Sequence, residues 1–350
     1  GSLVVGGRSS PNSMTIARLL TNGSIDTTFG MNGFWTTTQA TAARKIVIQS
    51  DGKIITIGTG GVLGTLFTVA RLTTGGVLDA TFNGDGLYTY TVGDGAVGYA
   101  LALQPDGKIL ALGLKLAFGA ELRQSMMMLR LTSAGDPDTT FAGTGIRLFY
   151  PHASGSFWNA TAIGVLGDGR IVATGDAHID GYEESFTHRA SVAAASSSGA
   201  PDTGYGPNGV RWVDAWGSAE QVNAVAVQPD GKIVLAGTSN DFGPQLRMAA
   251  RRLLPDGQLD PGFGAGGVGL HFYGYETSTA ANAVALLPDG KILLGGWVET
   301  APGNQNFFVK RLTASGQSET SFPPTAIGTS NDAITALKVR PDGKIVATGY

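Results

Sequence analysis

The tetrapeptide Pro105-Asp106-Gly107-Lys108 recurs along the chain, and its spacing constrains the fold more than any other feature. Exact copies occupy residues 229–232, 288–291 and 341–344, with near-copies at Ser50-Asp51-Gly52-Lys53 and Gly167-Asp168-Gly169-Arg170. Each lies between two short apolar runs, as in Ala100-Leu101-Ala102-Leu103 before and Ile109-Leu110-Ala111-Leu112 after. Pro pre-sets φ for the first corner of a tight turn, Asp bonds its own backbone, and Gly takes φ > 0. Two apolar runs joined this way predict a β-hairpin. The turn glycines Gly52, Gly107, Gly169, Gly231, Gly290 and Gly343 lie 53–62 residues apart, a period that marks a repeat architecture.

A second motif travels with the first. An Arg-Leu pair recurs at residues 18–19, 71–72, 130–131, 252–253 and 311–312. Five residues after each Arg comes Gly (Gly23, Gly76, Gly135, Gly257, Gly316), then three later an acid (Asp26, Asp79, Asp138, Asp260, Glu319). Three further comes Phe (Phe29, Phe82, Phe141, Phe263, Phe322). One repeat departs: Ala194 replaces the Arg, while Gly199, Asp202 and Tyr205 keep the rest of the pattern. The Arg and acid are expected to pair across the turn, and the Phe to anchor packing between repeats. Where Ala194 removes the Arg, Asp202 is expected to bond backbone instead.

No segment has sustained helical periodicity. Four short strands per repeat, with a turn between each, predict an all-β propeller of four-stranded antiparallel blades over residues 1–350 as one domain. The chain enters at the second strand, since residues 1–7 align with 290–296. Six first, seven second, six third and six fourth strands are expected. That number favours six blades closed by strands from both termini, residues 334–348 completing a blade with residues 14–37. Seven blades, or an open fragment of a longer array, are the alternatives.

The run Val225-Ala226-Val227-Gln228-Pro229-Asp230-Gly231-Lys232-Ile233-Val234-Leu235-Ala236-Gly237, followed by an Arg-Leu strand and a Gly-x-x-Asp-x-x-Phe-Gly turn, resembles the bacterial delta-60 repeat family. The resemblance covers essentially the whole chain. It implies a β-propeller, often within large extracytoplasmic proteins, and brings no catalytic residues with it. The repeat around Gly169 departs furthest from the pattern.

Composition narrows the functional classes. Charged residues are 15% of the chain, against a usual share of about 25%, and the net charge is −3. No basic surface follows, which argues against a nucleic-acid partner. There is no cysteine, so disulfides, thiolate metal sites and cysteine nucleophiles are excluded. No apolar run approaches the ~18 residues of a membrane span, and no signal-peptide pattern opens the chain. These features lead to the expectation of a secreted or cell-surface bacterial protein, monomeric and not inserted in a membrane.

Two of the four connections in each repeat barely vary, and they share one end of the sheets. The other two, at the opposite end, carry the length variation, in residues 114–125, 149–159, 177–186, 212–221, 272–279 and 297–306. Variable loops on a rigid scaffold are where binding residues concentrate. Tyr150, His152, Trp158, Tyr182, Trp216 and Tyr273 are therefore the candidate ligand-binding residues, suited to stacking on a glycan or contacting a protein. His178, Asp180 and His188 are weak candidates for a divalent metal, because one loop rarely supplies convergent ligands. No cofactor is otherwise expected. Asn83-x-Asp85-Gly86 resembles half a calcium loop but lacks the closing Glu, so it is expected to be a turn. No nucleophile elbow, phosphate loop or His-Glu-x-x-His is present. The alternative functions are a hydrolase of glycans or esters, with Glu183 or Glu184 acting beside Asp214 or Glu220, and a purely structural module of a larger surface protein.

Overall fold

The computed structural model describes residues 2–10, 13–60, 65–90, 94–117, 124–150, 155–179, 189–213, 221–240, 245–264, 268–271, 277–327 and 331–350. Those residues form twenty-five strands, β1 (Leu3–Ser10) to β25 (Ile345–Gly349), and two short 3-10 turns at Thr203–Tyr205 and Pro207–Gly209. They divide into two compact units.

The first unit comprises Gly1–Val165 and Ala195–Pro201. It holds β1, β2 (Ser13–Leu19) and β3 (Phe34–Thr37) as a three-stranded sheet. A complete meander follows: β4 (Lys45–Ile48), β5 (Ile54–Gly60), β6 (Leu66–Leu72) and β7 (Leu87–Tyr90). The next is β8 (Ala96–Leu103), β9 (Ile109–Lys115), β10 (Ser125–Leu131) and β11 (Ile146–Phe149), and the unit ends with β12 (Gly155–Val165). Each strand pairs antiparallel with the next, as in Leu103 opposite Ile109 and Leu131 opposite Ile109. Second and third strands lie inside the sheets: β5 and β10 are buried at every position. Both faces of these short strands are covered, so they read as continuous apolar runs rather than as alternation. Ile55, Ile57, Phe67, Val69, Leu101, Ala111, Met127 and Leu129 fill the core between the two complete sheets.

The second unit comprises Leu166–Ala194 and Asp202–Tyr350. Its strands are β13 (Ile171–Ile179), β14 (Arg189–Ala195), β15 (Val210–Trp212), β16 (Gln221–Val227), β17 (Ile233–Ser239), β18 (Arg247–Leu253) and β19 (Val268–His271). They are followed by β20 (Thr279–Leu286), β21 (Ile292–Ala301), β22 (Asn304–Leu312), β23 (Ser318–Ser321), β24 (Ile334–Val339) and β25. β16 to β19 and β20 to β23 are four-stranded meanders. The first strands carry a bulge at Asn223 and at Asn282, where the register slips by one residue. Each bulge asparagine donates to the next first strand, Asn223 to the Ala281 carbonyl at 2.9 Å and Asn282 to the Ile334 carbonyl at 3.0 Å.

The turns form as their residues dictate. Asp51, Asp106, Asp168, Asp230, Asp289 and Asp342 each accept the N–H two residues on, at 3.0–3.2 Å. Every Gly of this turn has φ between +77° and +85°. Within the first unit β1 to β3 form a three-stranded sheet, and within the second β24 and β25 form a two-stranded one.

Candidate functional site

Each repeat builds a charged cluster at the end carrying the repeated turns. Asp138 lies after β10, where its Oδ1 accepts the Thr140 hydroxyl at 2.6 Å and the Thr140 N–H at 3.1 Å. Its Oδ2 accepts Arg130 Nε at 2.8 Å and meets Lys108 Nζ at 3.3 Å. Arg130 and Asp138 are buried, with side chains 5% and 6% exposed. Burial alone would raise this carboxyl, but the Thr140 hydroxyl and N–H, Arg130 and Lys108 outweigh it and hold the pKa at about 2. Asp79, with Thr81, Lys53 and Arg71, is pulled still further below the carboxylate range against the same burial cost. Lys232 and Arg252 meet Asp260 in the same way, at 3.1 and 2.8 Å. The paired Arg and acid expected from sequence are thus present. The Lys of the tetrapeptide has a second role that sequence reasoning missed, as the other cation on the same acid.

The Arg also ties its repeat to the following one. Arg18 Nη1 donates to the Thr74 carbonyl and Arg130 Nη1 to the Ser197 carbonyl, both at 2.5 Å. Arg71 reaches the Ser133 carbonyl and Arg252 the Ala314 carbonyl. In every case the acceptor lies three residues after the next Arg position. The guanidinium also stacks over the Phe of its own repeat, 4.7–4.8 Å from the centroids of Phe29, Phe82, Phe141 and Phe263. The Phe therefore anchors one repeat to the next, as its recurrence implied.

The divergent repeat reaches the same end by another route. Ala194 supplies no guanidinium, but Arg170, at the Lys position of the turn, does. Its Nη1 meets Asp202 Oδ2 at 3.0 Å and donates to the Pro255 carbonyl at 2.7 Å. Pro255 holds the acceptor position that Thr74, Ser133, Ser197 and Ala314 hold elsewhere. Asp202 does accept a backbone N–H, from Gly204 at 3.1 Å, but it also keeps a cation, which corrects the expectation of backbone bonding alone. Burial pushes the Tyr205 hydroxyl up to about 12.

The opposite end is where the sequence placed the ligand. Of its candidates, Tyr150 is described and is exposed, immediately after β11. Trp158 lies on β12 and His178 on β13, each known by backbone position only. His152, Asp180, Tyr182, His188, Trp216 and Tyr273 lie outside the described residues, as do Glu183, Glu184, Asp214 and Glu220. Among the described residues no three or more His, Asp or Glu converge as a metal site. Asn83 and Asp85 form a turn: Asp85 Oδ1 accepts the Leu87 N–H at 2.8 Å, and Asn83 takes φ 50°.

The second unit carries polar groups at this end that sequence reasoning missed. Asp176, Thr238, Ser239, Arg247 and Arg251 are all buried, and Arg251 Nη1 donates to the Val213 carbonyl at 3.0 Å. Arg251, Gln221, Thr238 and Ser239 line a small pocket with Ala190, Val213 and Val222. The signal lay in a position scored only for its neighbour. The residue before the repeated Arg is apolar in Ala17, Ala70, Leu129 and Ala193, yet it is Arg251 and then Lys310 in consecutive repeats. Burial lowers the Lys310 ammonium below the ordinary lysine range.

Comparisons with known proteins bear on the fold. A family model described as "Domain of unknown function (DUF5122) beta-propeller" matches residues 1–29, 49–82, 228–263 and 287–322. Each matched stretch ends at a repeated Phe. No curated protein matches the chain. Among solved structures, the polysaccharide lyase Uly1 is similar with a TM-score of 0.50 at 11% identity, over 99% of this chain and 84% of that one. A PL25 ulvan lyase gives a TM-score of 0.50 at 8% identity, over 96% and 82%. A protein of unknown function from Bacteroides caccae gives 0.46 at 12% identity, over 93% of both chains. At such identities a likeness speaks to fold alone. The matched repeats and the succession of four-stranded antiparallel sheets establish that the chain has a β-propeller fold.

Proposed function

We propose that the chain is a binding or scaffold propeller, and that its ligand, a glycan or a protein, docks on the variable-loop end of the sheets. One observation supports this reading most: the two ends of the sheets spend their polar residues differently. At the repeated end each acid is matched by the cations of its own repeat, and six near-identical surfaces offer little specificity. At the variable end the polar and aromatic groups change from repeat to repeat, from exposed Tyr150 to the pocket flanked by Arg251 and Ser239. Loops that differ from repeat to repeat suit an asymmetric ligand, and aromatic rings give large contact area at low entropic cost.

On this reading Tyr150, His152, Trp158, Tyr182, Trp216 and Tyr273 form the contact surface. The protein works outside the cytoplasm of a bacterium as a delta-60 repeat propeller. It is a monomer without cofactor, and it neither binds nucleic acid nor inserts in a membrane. Glycan-array and pull-down binding test the reading. Trp158→Ala or Trp216→Ala is expected to weaken binding by ~1–3 kcal/mol with the fold intact, while Lys232→Ala changes stability alone. Binding lost at Lys232 and untouched by both tryptophans would put the site at the wrong end. Glycan hydrolysis abolished at Glu183 or Glu184 would replace the binding reading with the enzymatic one.

A further inference from the structure

Asn-Gly occurs at residues 22–23, 32–33, 83–84 and 208–209. Glycine after asparagine leaves the main-chain nitrogen open to the side-chain carbonyl, because no β-carbon shields it. At three of these places the backbone keeps the two groups apart. Asn32, Asn83 and Asn208 take φ of 54°, 50° and 55°. In that left-handed region ψ is positive as well, which turns Cβ to the far side of the Cα–C bond from the next nitrogen. Asn83 is held further by its Nδ2, which donates to the Leu87 carbonyl at 2.6 Å.

Asn22 differs, since its φ lies outside the left-handed region. Its Oδ1 accepts the Ser24 N–H at 3.0 Å and the Ser24 hydroxyl at 2.7 Å. The first bond folds the side chain back along the Gly23 peptide. Both bonds place donors on the oxygen that gains charge when Cγ is attacked. The site is open to water, because Asn22 is exposed. So is the residue at its place in every other repeat, Gly75, Ala134, Ser198, Asp256 and Ser315, even though the glycine that follows is buried there. Exposure therefore belongs to the turn itself and not to what packs beside it.

We propose that Asn22 is a site of spontaneous deamidation, promoted by the N–H and hydroxyl of Ser24. Hydroxide takes the Gly23 N–H proton, and the nitrogen attacks Asn22 Cγ. The oxyanion forms on Oδ1, facing the two Ser24 donors. Nδ2 takes a proton from water and leaves as ammonia, which closes a succinimide ring. Water then opens the ring, at Cγ to give aspartate or at the main-chain carbonyl to give isoaspartate, so one water is consumed for each ammonia released. Gly23 N–H donates to the Leu20 carbonyl at 2.9 Å, so attack follows opening of that turn bond and is slower than in the unfolded chain. The two products differ in effect. Aspartate suits the turn: Asp256 holds the same place, and its Oδ1 accepts the Gln258 N–H at 2.9 Å. Isoaspartate adds a carbon to the main chain between Leu20 and Ser24, where the Leu20 N–H meets the Ser24 carbonyl at 2.8 Å, just ahead of Asp26 and its pair with Arg18.

The test incubates the folded protein at mildly alkaline pH and follows all four asparagines by peptide mapping, with isoaspartate read by fragmentation mass spectrometry. A denatured sample is the reference, in which the four should convert at similar rates. In the folded protein Asn22 is expected to convert several-fold faster than Asn32, Asn83 or Asn208, at a rate that rises with pH and with isoaspartate in excess. Ser24→Ala alters an exposed side chain and should slow the folded rate by roughly 2–10-fold, the weight of one hydrogen bond, while leaving the denatured rate nearly unchanged. Equal rates at the four sites in the folded protein overturn the proposal. So does a folded Asn22 that stays intact while the denatured chain converts, or a folded rate that Ser24→Ala leaves unchanged.

Discussion

The cluster around Asp138 and the cluster around Asp202 do the same job with different residues. In the first, Arg130 comes from the third strand and Lys108 from the turn, and both reach one carboxylate oxygen. In the second, Arg170 of the turn alone meets the acid and spans to the following repeat. Arg170 can do both because its planar fork presents several donors at once, which a lysine ammonium on a flexible stem does not. The price is exposure: Arg170 and Asp202 side chains are 27% and 20% exposed, against 5% and 6% for Arg130 and Asp138. The function preserved across the repeats is thus a strap from one repeat to the next, and a particular residue at a particular place is only one way to make it.

The largest difference between the two clusters should appear when the acid is removed. Asp138→Asn leaves Arg130 buried without its carboxylate and is expected to cost about 3–5 kcal/mol. Asp202→Asn should cost markedly less, because Arg170 can turn to solvent or to Asp168 at 2.8 Å. Denaturant unfolding of the two variants decides it, and equal losses would erase the distinction. Acid should act in the same direction on the unaltered protein. The folded Asp138 has its pKa held at about 2, below its unfolded value of roughly 4. Its contribution is therefore present above about pH 4 and is lost as pH falls from there through about 2. Asp138→Asn should flatten the stability profile in that window.

Much of this was legible in the sequence, and the reason is repetition. Strand order, the turn role of Asp106, the Arg130–Asp138 pair and the packing role of Phe141 each recur at fixed offsets, so a local reading suffices. The Arg170 substitution was not legible, because Ala194 and Arg170 lie in different strands' flanks and become one event only when both face Asp202. The partner of Phe141 escaped for a similar reason: Gly199 was visible as a turn residue, but its contact with the ring belongs to the neighbouring repeat. The buried Arg251 was overlooked beside Arg252, whose recurrence drew the attention. Departures from a repeat carry the information on specificity, and they are the hardest part to read from the repeat itself.

A middle-sized effect tests whether Arg170 truly stands in for two residues. Arg170→Lys restores the consensus turn, and the new ammonium can still reach Asp202 as Lys108 reaches Asp138. It cannot also hold the Pro255 carbonyl, so the loss should be about 1–2 kcal/mol, the value of one hydrogen bond with a charged partner. Adding Ala194→Arg rebuilds the arrangement of the other repeats. Recovery of most of the lost stability in the double variant would show that the two solutions are interchangeable. A further loss would mean that the surroundings of Ala194 have closed around the smaller side chain.

The smallest effect concerns Tyr205, which differs from Phe141 by one hydroxyl. That hydroxyl donates to the Pro255 carbonyl at 3.3 Å, while Arg170 donates to the same oxygen at 2.7 Å. Removing it by Tyr205→Phe leaves the carbonyl satisfied and deletes only a long hydrogen bond, so the cost should stay below about 1 kcal/mol. The ring itself remains against Gly257, where a β-carbon would lie 2.7 Å away, and its packing is unchanged. In the Arg170→Lys background the balance shifts, because the Tyr205 hydroxyl becomes the remaining side-chain donor to Pro255 among those that reach it now. Tyr205→Phe should then cost more than it does alone, a positive coupling that a double-mutant cycle measures directly. Strict additivity would show that the hydroxyl and the guanidinium act independently, and that Tyr205 serves the strap only through its ring.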